Sequence, residues 1–284
     1  MLVRFTKMHG LGNDFMLIDL ISKDIPLDKD KIRSLADRRL GIGFDQLLTV
    51  GPPNDPSADF RYRIFNADGT EVEQCGNGAR CLTRFVRDRG LTTKTHISLE
   101  TSTGQIDCKL EKDGNITVNM GTPKLRPDHI PFTAKHSQIT YELAIPATIN
   151  QCKNIAPVCI STVNVGNPHA VLEVDDVSSA PVAELGPLIE GHSRFPERVN
   201  VNFMQILSRD KIALRVYERG AGETLACGTG ACASVVAGRL RGLLNENVTV
   251  SLPGGNLLIR WAGKESDIYM TGAACRVYEG RLHI

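Results

Sequence analysis

Apolar and polar residues alternate over short segments along most of the chain. This pattern predicts β-strands, because successive side chains of a strand point to opposite faces of a sheet. In the first half the segments cover residues 2–7, 14–20, 45–50, 60–66, 97–101, 105–110 and 115–120. In the second half they cover residues 140–145, 157–164, 170–174, 202–207, 211–217, 247–252, 257–261 and 267–271.

Two other segments have apolar residues at helical spacing, and each follows a cysteine and a glycine-rich turn. Gly90 can end the first helix and Gly242 the second, since glycine adopts the left-handed conformation that closes a helix. The apolar residues are Ala79, Leu82, Phe85 and Val86 in the first helix, and Ala231, Val235 and Leu240 in the second. The chain is therefore predicted to be of the α+β class.

The two cysteine turns belong to a longer repeat. RIFNADGTEVEQCGNGA (63–79) aligns with RVYERGAGETLACGTGA (215–231), which places Cys75 opposite Cys227. At nearly the same offset, Gly12-Asn13 lies near Gly166-Asn167, and Gln46 lies opposite Asn200. Because order and spacing agree together, we interpret the chain as a duplication. The alternative is coincidence among common residues in one irregular fold.

The repeat predicts two pseudo-symmetric domains, each a β-barrel-like sheet around a central helix. The proline-containing segment TPKLRPDHIP (122–131) is the predicted join. Gly121 and Gly272 also match, which suggests that the last residues return to complete the first domain. We therefore predict a first domain of residues 1–122 plus about 265–284, and a second domain of residues 123–264.

Composition narrows the function classes. The 284 residues carry a formal net charge of +1, which gives no reason to expect a nucleic acid or an anionic membrane as partner. No apolar run approaches the ~18 residues of a membrane helix. The N-terminal segment is interrupted by His9, Asn13 and Asp14 and lacks the continuous apolar core of a signal peptide. We expect a cytoplasmic protein with a small-molecule substrate.

The eight cysteines are irregularly spaced and include no CxxC pair, so they favour neither a disulfide scaffold nor a zinc ribbon. The histidines form no ligand cluster by spacing, and no cofactor motif is evident. We predict no metal and no cofactor. Cys81 and Cys232 are interpreted as packing residues on the two helices.

Each of the two turns can bind an anion. The free N–H groups and the aligned peptide dipoles at a helix N-terminus favour negative charge, so the pKa of Cys75 and Cys227 is expected to fall below the ordinary thiol value of about 8.5. Glycines in the turns let the backbone approach a carboxylate closely. Neither turn matches a phosphate loop or a dinucleotide fingerprint. The structural alternative is a pair of strand-to-helix connections that each bury a cysteine.

Two thiols on opposite sides of one substrate suit inversion at a carbon. One group removes a proton from one face, and the other delivers a proton to the opposite face. Fixed dipoles of the turns would stabilise the carboxylate of the carbanion.

Long motifs across nearly the whole chain resemble those of the diaminopimelate epimerases. They are KMHGLGNDF (7–15), GFDQLL (43–48), FNADG (65–69), QCGNGARC (74–81), GNPHAV (166–171), FPERVN (195–200), YERGAGET (217–224) and ACGTGACA (226–233). The resemblance implies a pyridoxal-independent, two-base isomerase that interconverts LL- and meso-diaminopimelate in lysine and peptidoglycan-precursor biosynthesis. It also implies a homodimer.

The resemblance assigns roles to individual residues. Cys75 and Cys227 are the two bases, His169 and Glu218 tune them, and Tyr278 lies at the dimer contact. The implied substrate-binding residues are Asn13, Gln46, Asn66, Gly76, Asn77, Asn167, Asn200, Glu218, Arg219, Gly228 and Thr229.

Chemistry supports these roles: amides suit the amino acid ends of the substrate, and a guanidinium can hold a carboxylate through two donors. Asn66 and Glu218 occupy the same repeat position, so the two half-sites differ.

One position departs from the pattern. Asn202 stands in VNVNF where a small residue, often glycine, is expected. This raises the question of which asparagine faces the site, and we choose Asn200 because it is in register with FPERVN.

Two other functions remain open. One is another thiol-pair racemase, such as a proline or hydroxyproline racemase. The other is a non-catalytic amino acid binding protein.

Overall fold

The computed structural model describes residues 2–21, 25–73, 75–145 and 157–283. The chain folds into two compact units. Unit 1 comprises Met1–Asn119 and Thr271–Ile284, and unit 2 comprises Met120–Met270. These limits differ from the predicted domain boundaries by a few residues.

Most of unit 1 is β-structure. Its elements up to Asn119 are β1 (Leu2–Gly10), β2 (Asn13–Asp19), α1 (Lys29–Ala36), β3 (Gln46–Gly51), β4 (Phe60–Asn66), β5 (Glu71–Val72), α2 (Gly76–Asp88), β6 (His96–Thr101), β7 (Gly104–Leu110) and β8 (Ile116–Asn119).

Unit 2 has the same kinds of element. A short 3₁₀ turn (Pro127–His129) precedes β9 (Tyr141–Leu143), β10 (Val158–Asn164), β11 (Pro168–Glu173), α3 (Val182–Glu190), β12 (Asn200–Ser208), β13 (Lys211–Glu218), β14 (Gly222–Thr224), α4 (Gly228–Leu240), β15 (Asn247–Leu252), β16 (Gly255–Trp261) and β17 (Ile268–Gly272). The chain re-enters unit 1 at Thr271, within β17, and continues there as β18 (Cys275–His283).

Strand pairing is the same in the two units. In unit 1, β1 is antiparallel to β2, β2 is parallel to β3, and β3 is antiparallel to β4. In unit 2, β10, β11, β12 and β13 repeat this sequence of pairings. In both units the fourth strand then pairs with a short hairpin strand and, in parallel, with a later strand. The predicted duplication is therefore present in the strand topology.

A long helix follows the short hairpin strand in each unit. α2 buries Ala79, Leu82, Phe85 and Val86, as its spacing predicts. α4 is buried on nearly all sides, from Gly230 to Gly238, so small residues replace the one-sided apolar stripe. The predicted α+β class, with a barrel-like sheet around a central helix in each domain, is confirmed.

Both central helices end in the same way. Gly90 and Gly242 have φ of +68° and +74°. The N–H of Leu91 donates to the Val86 carbonyl, and the N–H of Leu243 donates to the Gly238 carbonyl, each at 2.9 Å. This left-handed closure satisfies carbonyls that the helix leaves free.

β18 returns to the first strand of the molecule. It pairs antiparallel with β1, from Leu2 opposite His283 to His9 opposite Cys275. The sequence predicts the return of the chain but not this strand. Most β18 side chains are exposed, so no alternating pattern marks it.

Candidate active site

Cys75 is the N-cap residue of α2. Its backbone is extended (φ −146°, ψ 113°), and its sulfur accepts the N–H of Gly78 at 3.4 Å. The hydroxyl of Tyr62, a buried residue of β4, donates to the Cys75 carbonyl at 3.3 Å. The half-buried thiol is thus held at a helix N-terminus, where an anion is stabilised.

Three amide side chains line one edge of the unit 1 sheet beside this terminus. β2 and β3 are parallel and begin at Asn13 and Gln46, whereas the antiparallel β4 ends at Asn66. Gln46 lies opposite Asn66 in the register, and its Nε2 donates to Asn66 Oδ1 at 3.0 Å. The strand topology therefore brings these predicted residues together.

Asn13 is oriented by a carboxylate that the sequence motifs do not single out. Its Nδ2 donates to Asp45 Oδ2 at 3.0 Å, which turns Oδ1 toward the helix. That oxygen accepts from Asn77 Nδ2 at 3.4 Å and lies 3.8 Å from the Cys75 sulfur. Asp45 directly precedes Gln46 in the chain, so adjacency to a predicted site residue is the signal that could have found it.

A buried arginine supports the same turn. Arg80 is fully buried on α2, and its Nη2 donates to Asn77 Oδ1 at 3.0 Å. Its Nε donates to the carbonyl of Ala273 at 3.2 Å. Arg80 thus connects the α2 turn to the returning C-terminal segment, a role that the motif spacing does not reveal.

Cys227 occupies the equivalent N-cap position of α4 but lies deeper. Its thiol is buried, and the sulfur lies 3.5 Å from Thr229 Oγ1. Burial, followed by the negative charge of Glu218, raises the pKa of this thiol well above its ordinary value. The expectation that the helix N-terminus would lower the pKa is therefore wrong for Cys227, because loss of water outweighs the helix dipole.

The edge beside Cys227 repeats the arrangement of unit 1. Asn167 precedes β11, Asn200 begins the parallel strand β12, and Glu218 ends the antiparallel strand β13. The Glu218 carboxylate accepts the Thr224 hydroxyl at 2.5 Å. Glu218 stands where unit 1 has Asn66, so this edge carries a charge in place of an amide.

Asn200 is buried and bonded to backbone groups at both ends of its amide. Nδ2 donates to the Pro168 carbonyl at 3.0 Å, and Oδ1 accepts the N–H of Arg219 at 2.9 Å. The exposed Arg219 side chain donates through Nη1 to the Glu197 carbonyl at 2.8 Å. Asn200 thereby braces the turn that carries Arg219, and direct substrate contact by Asn200 stays a prediction.

His169 is fully buried between two asparagines. Its Nε2 lies 2.9 Å from the Asn167 side chain, and its Nδ1 lies 3.2 Å from Asn202 Oδ1. Burial lowers the pKa of His169 to about 4, and the nearby charge of Arg219 acts in the same direction. The ring is therefore neutral at pH 7. Asn200 lies opposite His169 in the strand register, but the side chain from β12 that contacts the ring is that of Asn202.

Comparison with known proteins decides the family. The diaminopimelate epimerase family model matches residues 5–126 and 161–277. A diaminopimelate epimerase from Thioalkalivibrio sulfidiphilus (strain HL-EbGR7) is 57% identical over 286 residues, and the alignment covers 100% of both chains. This chain belongs to the diaminopimelate epimerase family.

Solved structures with the same fold extend beyond this family. A phenazine biosynthesis protein of the PhzF family from Bacillus anthracis has a TM-score of 0.72 at 16% identity, with 100% of both chains covered. A hydroxyproline epimerase from Agrobacterium vitis, solved with trans-4-hydroxy-L-proline, has a TM-score of 0.69 at 16% identity, with 99% and 92% covered. At such low identity these likenesses show the fold alone.

The predicted packing residues and the predicted dimer contact differ in their surroundings. Cys81 and Cys232 are completely buried on the two central helices, as predicted. Tyr278 on β18 is 44% exposed, and its ring meets Phe5 edge to face at 6.0 Å. Partial exposure suits a contact residue, but the dimer contact itself stays a prediction.

Within the described ranges, no group of three or more His, Cys, Asp or Glu side chains could hold a metal ion. Over the same part of the chain, no helix is long and apolar enough to cross a membrane.

Proposed function

We propose that this member of the diaminopimelate epimerase family interconverts LL- and meso-diaminopimelate with Cys75 and Cys227 as its acid and base. The observation that supports this assignment is the shared position of the two cysteines. Each is the N-cap residue of a central helix, beside a sheet edge lined by Asn13, Gln46 and Asn66 or by their repeat equivalents. The family match and the 57% identical relative supply the substrate.

Epimerisation requires one thiolate and one thiol. The thiolate accepts the proton of the substrate α-carbon, and the electron pair of the broken C–H bond spreads into the adjacent carboxylate. The second group then delivers a proton to the opposite face, so no proton or electron is gained or lost overall. Because burial favours the protonated form of Cys227, we propose that Cys227 rests as the acid and Cys75 as the base.

The substrate carboxylate at the reacting carbon needs fixed donors. The backbone N–H groups around Asn77 and Thr229 lie in the first turns of α2 and α4, where the aligned peptide dipoles favour negative charge. Glycines on either side of each residue let a carboxylate approach closely, so we assign Gly76-Asn77 and Gly228-Thr229 to this role. As charge moves into the carboxylate, preorganised donors stabilise it more strongly than in the ground state.

The rest of the substrate is assigned to residues that differ between the repeats. Asn13, Gln46, Asn66, Asn167 and Asn200 supply amides. Glu218 and Arg219 supply charges for an ammonium and a carboxylate. The replacement of Asn66 by Glu218 in the second repeat suits a substrate whose two ends differ in their distance from the reacting carbon.

The two-base assignment is tested by exchange of the substrate α-proton in D₂O. Cys75→Ala and Cys227→Ala should each lose epimerisation in both directions by at least ~1,000-fold, because the mutant can no longer protonate one face. Cys159→Ser, which changes an exposed cysteine, should retain wild-type activity. Full activity in either alanine variant would contradict the two-base mechanism.

Proline and hydroxyproline form the second arm of the same experiment, because a hydroxyproline epimerase shares the fold. A compact cyclic amino acid has no second carboxylate for Arg219, so we expect neither compound to react. Turnover of proline in place of diaminopimelate would favour the racemase alternative. Binding of diaminopimelate without α-proton exchange would favour a binding protein.

Several properties implied by the family resemblance belong to the same proposal. They are pyridoxal-independent action, a place in lysine and peptidoglycan-precursor biosynthesis, a cytoplasmic location and a homodimer with Tyr278 at its contact.

Two of these properties are directly testable. The dialysed protein should be active without added pyridoxal phosphate or metal. Tyr278→Ala should shift the sedimentation profile from dimer toward monomer. A monomeric profile for both the wild-type protein and the variant would contradict the proposed dimer.

A further inference from the structure

A chain of buried polar groups runs through unit 2 from Asn167 to α4. Asn167 contacts His169, His169 contacts Asn202, and Asn202 donates to Gly230 and Ser234. His169, Asn202 and Ser234 are each completely buried. Buried polar groups at these positions require a physical reason, because each costs free energy unless its hydrogen bonds are made.

Unit 1 has no such chain at the equivalent positions. The strand register places Phe15 where unit 2 has His169 and Leu48 where it has Asn202. Leu82, seven residues after Cys75, matches Ser234, seven residues after Cys227. The duplicated fold thus packs with apolar side chains at these three positions in one copy and with a polar network in the other.

The orientation of the Asn202 amide is fixed by a backbone carbonyl. Nδ2 of Asn202 lies 3.1 Å from the Gly230 oxygen, which can only accept. The Ser234 hydroxyl donates to that same oxygen at 2.8 Å, which leaves its lone pairs for Nδ2 at 3.3 Å. A flipped amide would set two acceptor oxygens against each other, so Oδ1 of Asn202 must face His169.

This orientation fixes the proton of His169. Nδ1 lies 3.2 Å from Asn202 Oδ1, which has no hydrogen to donate, so Nδ1 must carry the ring proton. His169 is completely buried between two uncharged amides, and this burial lowers its pKa to about 4, so the ring is neutral at pH 7 and holds only one proton. Nε2 is then bare and can only accept.

The bare Nε2 in turn fixes Asn167. The nearest side-chain atom of Asn167, Oδ1, lies 2.9 Å from Nε2, which would pair two acceptors. A half-turn of the amide group exchanges Oδ1 and Nδ2 without any other change in the side chain. Hydrogen bonding therefore requires Nδ2 of Asn167 at this position, with Oδ1 turned away from the ring.

We propose that Asn202 is a positioning residue: it selects the Nδ1–H tautomer of His169 and so sets Asn167 to present its carbonyl oxygen to the ammonium group of an amino acid substrate. The proton on Nδ1 follows from the hydrogen bonds of Asn202, and the bare Nε2 follows from the burial of the neutral ring. The role of Asn167 toward substrate rests on the proposed function.

The tautomer is measured directly by ¹⁵N NMR of histidine-labelled full-length protein at pH 7. The His169 signals are identified by their loss in His169→Gln. The expected spectrum shows a protonated Nδ1 and a bare Nε2. A protonated Nε2 in the wild-type protein would overturn the proposal without the use of any variant of Asn202.

Two variants separate positioning from general packing. Asn202→Leu installs the residue found at the matching position of unit 1 and should move the His169 proton to Nε2, where Asn167 can accept it. Ser234→Ala removes one partner of Asn202 but keeps the Gly230 carbonyl, so the Nδ1–H tautomer should persist. An Nδ1–H tautomer that persists in folded Asn202→Leu would overturn the selection by Asn202.

Kinetics test the consequence for substrate. In Asn202→Leu the KM for diaminopimelate should rise about tenfold with a smaller change in kcat, because one hydrogen bond to the ammonium group is lost in the bound ground state. Ser234→Ala should keep its KM within about twofold of wild type. An unchanged KM together with a changed tautomer would overturn the role of Asn167. A wild-type protein that is inactive toward diaminopimelate would refute the proposed function and leave the tautomer measurement valid.

Discussion

Single residues of the same type have different chemistry in the two repeats. Cys75 is half-buried and its sulfur accepts an N–H, whereas Cys227 is buried, and this burial, followed by the negative charge of Glu218, raises its pKa. The two repeats differ at this position, which is Asn66 in unit 1 and Glu218 in unit 2, and Glu218 supplies the carboxylate. In the proposed mechanism, these different surroundings let two identical side chains start the reaction in opposite protonation states.

The lowered pKa of His169 predicts an acid-sensitive fold. The unfolded imidazole binds a proton near pH 6.5 and the folded one near pH 4, so the free energy of unfolding falls as the pH drops through this interval. The loss amounts to about 2 kcal/mol at pH 5. Urea unfolding at pH 7.5 and pH 5 should show this loss in the wild type and not in His169→Gln, and equal losses in both would contradict a buried neutral ring.

At the level of elements, the first turn of the central helix α2 packs against the side chain of a strand residue. A Cβ added at Gly78 in α2 would lie 2.2 Å from the hydroxyl of Tyr62, which is buried on β4. That hydroxyl also donates to the Cys75 carbonyl, so the first turn of α2, the strand β4 and Cys75 pack together.

Gly78→Ala should therefore destabilise the protein by ~1–3 kcal/mol, since the buried ring cannot move without loss of packing. It should also lower activity by displacing Cys75. Gly51→Ala is the matched control, because the space around its Cβ position is empty, and it should change the free energy of unfolding by less than ~0.5 kcal/mol. Equal urea midpoints for the two variants would disprove the close contact at Gly78.

The sequence predicts strands well where one face is buried, because apolar and polar residues then alternate with the two faces of the sheet. It misses α3, whose segment VAELGPLIE contains Gly186 and Pro187, two residues that normally disfavour a helix interior. Gly186 is needed there, since its Cβ would lie 2.6 Å from the Tyr217 ring. The hairpin strands β5 and β14 are too short to show a pattern.

The residues of the candidate site likewise fall into those that the sequence predicts and those that it misses. Motifs identify the cysteines, and the repeat identifies the residues at the two sheet edges. Asp45, Arg80 and Asn202 act through partners supplied by other elements, so their roles depend on strand register and burial rather than on local spacing. The predicted direction of the Cys227 pKa is wrong because the depth of a turn cannot be read from its glycines.

At the level of the whole molecule, the last strand completes the first unit. Phe5 of β1 packs on Tyr278, and a Cβ added at Gly280 would lie 2.4 Å from the Phe5 ring. The pairing of β1 with β18 thus depends on a glycine opposite an aromatic ring, as well as on backbone hydrogen bonds.

Gly280→Ala should loosen unit 1 and leave unit 2 intact. Steric overlap with the Phe5 ring should destabilise the pairing of β1 with β18 by ~1–3 kcal/mol. Hydrogen exchange followed by mass spectrometry should show faster exchange in these two strands and unchanged protection in β12 and β13. Uniformly faster exchange across both units would show that they do not unfold separately.

The return of β18 also sets an order of events during synthesis. About 150 residues of unit 2 leave the ribosome between the main part of unit 1 and its final strand. At ~5–20 residues per second, β1 waits on the order of ten seconds for its partner, with one edge unpaired. Unit 2 is contiguous and can fold during that interval, so the half synthesised first is the half completed last. A nascent chain stalled before residue 275 would therefore expose an open strand edge to chaperones, although most of its sequence is already present.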